Sequence, residues 1–323
     1  MKKIFEIDSD WTVVGVDVAK DELVTYVDTK KEFGSCGNST RDLKKMGRQF
    51  KKLEPRLVVF EASGGYEQEA VRIFADLGLP VAVVYPRRIR QFALGLGIIA
   101  KTDEVDACVI AYYGRIAGIQ PMPPKRAELR QLQALTTRRT QLIEMRVAEQ
   151  HRLETADPTM HRDIKKHIDY LNHQIDIIEK NVAKQISESE ILSEKAERLC
   201  SVPGVGPVLS STLITELPEL GSLSNKEIAS LVGVAPFPHE SGRRTGKRSC
   251  KGGRNSVRRV LYMATVSATR SNPVIIAFYK KLCDQGKLKK VAIIACARKL
   301  LVTLNAIARD NSSWHPKNDL FST

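Results

Sequence analysis

The N-terminal third of the chain alternates short, apolar, β-branched runs with segments of helical composition, and this alternation constrains the fold more than any other feature. Runs at residues 11–20 and 22–28 follow each other closely and predict a β-hairpin. Strands that alternate with helices after an initial hairpin indicate a mixed α/β sheet of the ribonuclease-H-like kind. The remaining predicted elements are strands at residues 56–61 and 80–85 and helices at residues 41–53 and 65–77.

The chain has 323 residues, which is more than one hydrophobic core usually accommodates. We therefore expect an α/β domain at residues 1–122, a connector at 123–199 and a mainly α-helical domain at 200–323. The six cysteines form no C-x-x-C pair, which argues against a zinc site and a disulfide framework. No continuous apolar run reaches the roughly 18 residues of a membrane span, and no secretory signal is recognisable. These features predict a cytoplasmic protein without a membrane partner.

Four acidic residues of the α/β segment occupy positions that are typical of metal ligands. Asp17 and Glu61 each end an apolar strand, where a charge is costly unless it is exposed at a site or paired with a cation. Asp103 and Asp106 are three residues apart at the start of a helix that Thr102 can cap, so both project from one helix face. Each acid alone has an ordinary structural explanation, but together the four form the oxygen donor set that Mg²⁺ requires.

The connector carries apolar residues at alternating spacings of four and three. Two helices that meet near Pro158 predict an antiparallel coiled-coil hairpin, which serves dimerisation or spacing between domains. Packing within the chain alone explains the same pattern almost equally well. The apolar seam consists of Ile164, Ile168, Leu171, Ile175, Ile178 and Val182.

Positive charge is concentrated in one part of the C-terminal segment. Residues 241–300 contain 16 Lys or Arg and one acid, Asp284, whereas the rest of the chain has 35 basic and 36 acidic residues. Such a block predicts a surface that binds a polyanion, because neutralised phosphates release counterions. The alternative is a solvated basic face without a ligand. Residues 201–207, with Gly204 and Gly206, resemble the turn of a helix-hairpin-helix element that presents backbone N–H groups to a phosphate, although a plain glycine-rich turn fits as well.

A polar loop within the basic block holds Ser241 and Gly242, followed by several cations. Glycine permits close backbone approach, and cationic donors beside a hydroxyl suit an attack on phosphorus. Taken without any further information, a Ser-Gly pair in such a loop is most often a simple turn. The cations expected to contact nucleic acid are Arg243, Arg244, Lys247, Arg248, Lys251, Arg254 and Arg258.

Several motifs together resemble the IS110 family of insertion-sequence transposases. The N-terminal motifs are GVDVAKDEL, VVFEASGGY, YPRRIRQFA and KTDEVDA, in that order, and the C-terminal motifs have the GxAP, SG, KGG and RRxLYMA pattern. The resemblance implies that Asp17, Glu61, Asp103 and Asp106 form a D-E-D-D tetrad like that of Holliday-junction resolvases. It also implies that Ser241 is the nucleophile, in preference to Ser249 or Ser256.

By this resemblance, the protein is expected to be an RNA-guided DNA recombinase that uses Mg²⁺ and a covalent phosphoserine. Its partners would be donor DNA, target DNA and a structured noncoding bridge RNA that pairs with both, within a homo-oligomer, a dimer or a tetramer. One alternative is a metal-dependent Holliday-junction endonuclease in which water attacks and Ser241 is only structural. The other is a non-catalytic nucleic-acid-binding protein that keeps the acids for stability.

Overall fold

The computed structural model describes residues 11–122, 127–238, 240–241, 244–246 and 248–315. The chain forms two compact units, Met1–Lys125 and Arg126–Thr323. The first unit is a mixed α/β domain, and the second is almost entirely helical in its described part. The sequence prediction of an α/β N-terminal domain and a helical C-terminal region is therefore confirmed.

A five-stranded sheet forms the centre of the first unit, in the order β3-β2-β1-β4-β5. The first three strands are antiparallel neighbours, whereas β4 and β5 run parallel to β1. The predicted hairpin is present as β1 and β2, but β3 was not predicted, because its sequence EFGSCG has little β-branched character and lies mostly exposed at the sheet edge. The strands are β1 (Val13–Val18), β2 (Glu22–Val27), β3 (Glu32–Gly37), β4 (Leu57–Glu61) and β5 (Val81–Val84).

Helices cover both faces of this sheet. One face packs against α1 and α2 through an apolar cluster around Phe60 and Phe74, whose rings meet edge to face with centroids 5.6 Å apart. The other face packs against α3 and α4. Thr102 caps α4 as predicted, since its hydroxyl accepts a hydrogen bond from the Val105 amide at 3.2 Å. The helices are α1 (Thr40–Lys51), α2 (Glu67–Asp76), α3 (Pro86–Gly95) and α4 (Asp103–Ile116).

The second unit begins with a long antiparallel pair of helices, α5 (Ala127–Thr155) and α6 (His161–Ser187). The predicted seam faces α5: Leu171 and Ile175 pack against Leu142. Arg139 of α5 also pairs with Glu179 of α6, at 2.6 Å. Leu171 and Ile175 of the seam therefore pack within the chain, and dimerisation through the hairpin stays a prediction.

The rest of the second unit is a helical core. Its central helix, α12 (Lys289–Asp310), is long and apolar enough to cross a membrane by length and composition alone. Half of its most apolar 18-residue stretch, however, is buried in the domain. Short two-residue strands, β6 (Pro236–Phe237) paired with β9 (Ser249–Cys250) and β7 (Glu240–Ser241) paired with β8 (Arg244–Thr245), lie between α9 and α10. The helices are α7 (Glu190–Cys200), α8 (Pro207–Glu216), α9 (Asn225–Val232), α10 (Asn255–Ser271), α11 (Pro273–Asp284) and α12 (Lys289–Asp310).

Candidate active site

Two of the predicted acids lie at the same end of adjacent parallel strands. The register pairs Val16 of β1 with Phe60 of β4, which places Asp17 and Glu61, the next residues, side by side. Side chains alternate between the faces of a strand, so Asp17 shares the face of Gly15, and Glu61 shares the face of Val59. Both of those residues contact α4, and the two acids therefore lie on the α4 side of the sheet.

Helix α4 brings the other two acids to this end because it packs directly on the strands. A Cβ atom at Gly15 would lie 2.1 Å from the carbonyl oxygen of Ala107, a distance that real side chains do not reach. Closer to the C-terminus of α4, a Cβ at Gly114 would lie 2.5 Å from Cγ2 of Val59 and 3.3 Å from Cγ1 of Val13, which precedes Gly15 on β1. The helix thus runs antiparallel to β1, and its first turn, with Asp103 and Asp106, extends beyond the strand end where Asp17 lies.

The electrostatics of these carboxyls show that they share one environment. Burial raises the pKa of Asp17, and the nearby Asp106 and Asp103 charges raise it further. Burial, with the charges of Asp17 and Asp106, raises the pKa of Glu61 from 4.5 to about 6. The pKa of Asp106 is raised mainly by burial, with a smaller contribution from Asp103. Like charges that disfavour one another in this way favour binding of a cation.

One cation opposes this repulsion from within the chain. Lys101, two residues before α4, lowers the pKa values of Asp17, Glu61 and Asp106, although the effects of burial and of the neighbouring acids are larger for Asp17 and Glu61. Arg90 of α3 acts in the same direction on Asp106. These two residues were not predicted from the sequence, although Lys101 lies inside the KTDEVDA motif.

The donor chemistry of the tetrad suits a hard divalent cation, because it consists of carboxylate oxygens alone. Within the described part of the chain, however, no three His, Cys, Asp or Glu side chains are close enough to hold a metal ion as they stand. The backbone therefore gathers the four acids at one end of the sheet, whereas their side chains do not converge on one point. Asp17, Glu61 and Asp106 are half-buried, and Asp103 is exposed.

The loop after Glu61 is shaped by an acid that the sequence analysis did not single out. The Glu67 carboxylate is buried and accepts hydrogen bonds from the Ser63 amide at 3.0 Å, the Ser63 hydroxyl at 3.1 Å and the Gly65 amide at 2.9 Å. Gly64 and Gly65 both have positive φ, at 74° and 115°. The EASGGY segment thus forms a fixed turn that holds Glu61 at the strand end.

A buried ion pair fixes the far end of α4. The Arg115 Nε donates to Asp28 at 2.6 Å, and its Nη2 donates to the Trp11 carbonyl at 2.7 Å. The other oxygen of Asp28 accepts from the Val13 amide at 2.9 Å. Both charged side chains are almost fully buried, so every polar atom of this contact needs its partner. The pair holds α4 in register on β1 and β2, and so supports the acidic end indirectly.

Ser241 lies in β7, which pairs with β8 in a register that sets Ser241 opposite Arg244. Only the backbone of these two residues belongs to the described part of the chain. His239, Gly242, Arg243 and Lys247 lie outside the described residues. The nucleophile and the first cations that the sequence predicted after it therefore remain predictions.

The base of the Ser241 loop is closed by the glycines of two motifs. Gly233 of the GxAP motif has a φ of 81°, and a Cβ there would lie 2.2 Å from the Gly252 carbonyl oxygen. Gly253 of the KGG motif has a φ of 78°, and its Cβ would lie 2.3 Å from the Gly233 amide nitrogen. The Arg258 guanidinium donates to the Gly252 carbonyl at 2.5 Å and to Asn255 at 3.1 Å. These motifs bring together the two ends of the segment that carries Ser241.

Two further polar residues of this region have partners within the protein. Arg254 donates through Nη2 to Glu219 at 2.6 Å and through Nη1 to the Glu216 carbonyl at 2.8 Å. Ser256, an alternative nucleophile, donates its hydroxyl to the Glu216 carboxylate. Arg254 and Arg258 were predicted to contact nucleic acid, but their described donors are directed at the protein itself. Spacing alone gave no sign of this role, because Glu216 and Glu219 are some 35 to 40 residues upstream.

The glycine-rich turn between α7 and α8 also has a packing function. Gly204 has a φ of 92°, and a Cβ at this position would lie 2.6 Å from the Cα of Ala268 on α10. Asn272 donates to the Pro203 carbonyl at 3.2 Å. Gly206, at the start of α8, has open space where a Cβ would be. Gly204 therefore packs against α10. Of these two glycines, only Gly206 has the open space beside its backbone that the phosphate-binding prediction requires.

Two cations of the predicted interface, Arg248 and Lys251, are exposed in the described structure. Both follow the Ser241 hairpin and precede α10. Their side chains are more exposed to solvent than those of Arg254 and Arg258, which are half-buried.

Comparison with known proteins identifies the family. Residues 14–156 match the profile of a DEDD transposase domain of the IS110 type, and residues 196–280 match that of the transposase IS116/IS110/IS902 family. The pilin gene-inverting protein of Moraxella lacunata is 27% identical over 93% of this chain and 96% of its own length. The Moraxella bovis protein of that name is 29% identical over 79% and 80%.

Among solved structures, part of this chain is similar to RuvC of T. thermophilus in complex with a Holliday junction substrate. It covers 35% of this chain and 99% of that one, with 15% identity and a TM-score of 0.27. The assignment depends on the sequence matches, which fall in both units. The protein belongs to the IS116/IS110/IS902 family of transposases and is a DNA transposase or recombinase.

Proposed function

We propose that this protein recombines the DNA of an insertion sequence by cleaving and rejoining strands through a covalent phosphoserine at Ser241, under the guidance of a structured RNA. The observation that carries the proposal is the gathering of Asp17, Glu61, Asp103 and Asp106 at one end of the sheet, where the charges of neighbouring acids raise the pKa values of three of them. A fold that keeps four acids together against their mutual repulsion has a use for a cation.

Asp17, Glu61, Asp103 and Asp106 would hold Mg²⁺. When bound, the ion supplies positive charge that polarises a phosphate. The chain's own contribution is to position the acids: Gly15 sets the depth of α4, and Glu67 fixes the turn after Glu61. Without the ion, Lys101 reduces the repulsion among the carboxyls.

The Ser241 hydroxyl is the proposed nucleophile. Its oxygen loses its proton and forms a bond to phosphorus while the bond from phosphorus to a deoxyribose oxygen breaks, and the released sugar oxygen takes up a proton to become a hydroxyl. Rejoining is the reverse attack by a different sugar hydroxyl, which frees the serine. Arg248 and Lys251 are accessible cations that can neutralise the phosphates of the strand.

The proposed partners are donor DNA, target DNA and a bridge RNA that pairs with both, in a dimer or tetramer that acts in the cytoplasm. The basic composition of residues 241–300 supports binding of nucleic-acid backbones, which base pairing then directs to a sequence. We retain three working segments, residues 1–122, 123–199 and 200–323, with the α5–α6 hairpin as a spacer between the chemical halves.

The metal and RNA parts are tested by a recombination assay with purified full-length protein, the RNA that co-purifies with it, and DNA that carries both sites. Asp103→Asn should reduce product by at least about 100-fold, and raised Mg²⁺ should restore part of it, because weakened occupancy responds to mass action. Asp163→Asn is the matched control, since Asp163 lies in the first turn of α6. Unchanged product from Asp103→Asn would contradict the role of the acids, and product without RNA would contradict guidance.

A metal-dependent nuclease is the second candidate function, because the acidic end of the sheet can be used without the serine. In that case water attacks the phosphate and no protein–DNA bond forms. Cleaved DNA without any covalent adduct, from the unaltered protein, would favour this alternative.

A further inference from the structure

A large groove lies in the second unit between α11, α12 and the β6–β9 strand pair, and the proposed chemistry makes no use of it. It encloses about 1140 Å³. Much of its lining is apolar, with Phe278 of α11 and Ile294 of α12 among the lining side chains. Leu288 and Val291 leave further apolar surface accessible, with 76% and 53% exposure. An apolar concavity of this size indicates a ligand with apolar faces.

The lining of this groove is also cationic. Among the described residues that line it there are five Lys or Arg and no Asp or Glu. One cation precedes β9, one lies on α11 and three lie on α12, so the fold brings together charges from separate segments. The five are Arg248, Lys281, Lys290, Arg298 and Lys299. A matching ligand therefore has both anionic groups and apolar faces.

An unpaired DNA strand has this combination of properties. Its bases have apolar faces that pack on hydrophobic side chains, and its phosphates follow a cationic border. A duplex keeps its base faces stacked inside and presents phosphates, sugars and base edges, so the apolar lining would gain little from it. Asn225 and Ser249 are the only uncharged side chains with hydrogen-bonding oxygen or nitrogen atoms among the described lining residues, which leaves few groups to recognise the 2′-hydroxyls of RNA.

The location of the groove agrees with this ligand. Arg248, Ser249 and Cys250 form part of its wall, and they follow the β7–β8 hairpin that carries Ser241. We propose that the groove between α11, α12 and the β6–β9 pair binds a short stretch of unpaired DNA strand next to the cleavage loop. The inference depends on the proposed function only in taking DNA as the substrate. It concerns binding and not the covalent step.

Cys250 provides a direct readout, because its side chain is exposed and lines the groove. In full-length Ser241→Ala protein, which forms no adduct, the rate of N-ethylmaleimide modification is followed by mass spectrometry at Cys250 and at Cys36 of the first unit. A saturating single strand of about 12 nucleotides should slow modification of Cys250 by at least about tenfold and leave Cys36 unchanged. The duplex of the same sequence should protect much less. Equal protection by duplex, or none by the single strand, would overturn the proposal.

Matched pairs of exposed lysines on the same helices test whether the cations that line the groove bind the strand. Lys281→Gln with Lys290→Gln removes two groove charges, whereas Lys280→Gln with Lys289→Gln removes two that do not line the groove. By fluorescence anisotropy, the groove pair should reduce the salt slope of single-strand affinity by about 1.4, since each phosphate contact contributes about 0.7. The control pair should change it by less than half of that.

Three results would overturn the assignment. The first is equal effects of the two lysine pairs. The second is tighter binding of an RNA strand of the same sequence, which would assign the groove to RNA. The third is a groove-pair variant whose mass in sedimentation changes while its affinity for DNA does not. This result would assign the groove to an acidic helix of another chain. Every measurement uses Ser241→Ala protein without Mg²⁺ and reports binding alone, so a failure of the phosphoserine mechanism leaves these outcomes unaffected.

Discussion

Neutralising Glu61 should stabilise the protein at neutral pH, although it removes a proposed metal ligand. In the folded chain the pKa of Glu61 is about 6, against an ordinary value of 4.5, because of burial and the Asp17 and Asp106 charges. Between these two values the folded state holds a proton that the unfolded state has lost. The free energy of unfolding therefore falls as the pH rises from about 4.5 to about 6, and the penalty is fully present above that range.

The size of this penalty follows from the same values. A difference of about 1.5 in pKa corresponds to about 2 kcal/mol. Glu61 is only half-buried, so water screens part of the repulsion, and we expect about 1 kcal/mol. The free energy of unfolding of Glu61→Gln should exceed that of the unaltered protein by this amount above pH 6. Below pH 4.5 this difference should be absent, because glutamine does not titrate.

Urea unfolding at several pH values, without divalent metal, measures this difference directly. Glu32→Gln is the control, since Glu32 is exposed on the edge strand β3 and should change stability by less than about 0.5 kcal/mol at any pH. Added Mg²⁺ should raise the unfolding midpoint of the unaltered protein more than that of Glu61→Gln. A pH-independent difference between the unaltered protein and Glu61→Gln, or a loss of stability at neutral pH, would refute the reasoning about the acidic end.

Three further substitutions test the packing that positions the site. Gly15→Ala should cost about 1–3 kcal/mol in urea unfolding and weaken Mg²⁺ binding by calorimetry, because its Cβ would push α4 away, whereas Gly95→Ala, with open space, should not. Asp28→Asn should cost about 3–5 kcal/mol in the same unfolding assay, since it leaves the buried Arg115 charge uncompensated. Gly204→Ala should cost more than about 1 kcal/mol through its clash with α10 and its positive φ. Wild-type stability in any of the three would contradict the corresponding contact.

The sequence was sufficient to predict the features that follow from local pattern. Apolar β-branched runs predicted β1, β2, β4 and β5, and Thr102 marked the start of α4. The sequence also placed Asp17 and Glu61 each at the end of a strand, whereas the parallel pairing that sets the two ends side by side is a finding of the structure. These predictions succeeded because strand periodicity and helix caps depend on neighbours a few residues away.

Other features depend on contacts between distant segments, and the sequence did not predict them. Arg258 was interpreted as a DNA contact because its charge is visible in the sequence, while its acceptor at Gly252 is set by the close meeting of Gly233 and Gly253. Gly204 was interpreted as a phosphate-binding glycine, although α10 occupies the adjacent space. A glycine that allows close packing and one that admits a ligand have the same sequence signature.

The most direct test of the proposed mechanism is covalent capture of DNA by the protein. Full-length unaltered protein, Ser241→Ala and Ser249→Ala are each incubated with the co-purifying RNA, Mg²⁺ and end-labelled DNA, and the products are resolved on denaturing gels with and without protease. We predict a protease-sensitive DNA adduct from the unaltered protein and from Ser249→Ala, and none from Ser241→Ala at any Mg²⁺ concentration, because no metal replaces a missing hydroxyl oxygen. An adduct that persists in Ser241→Ala would contradict the account.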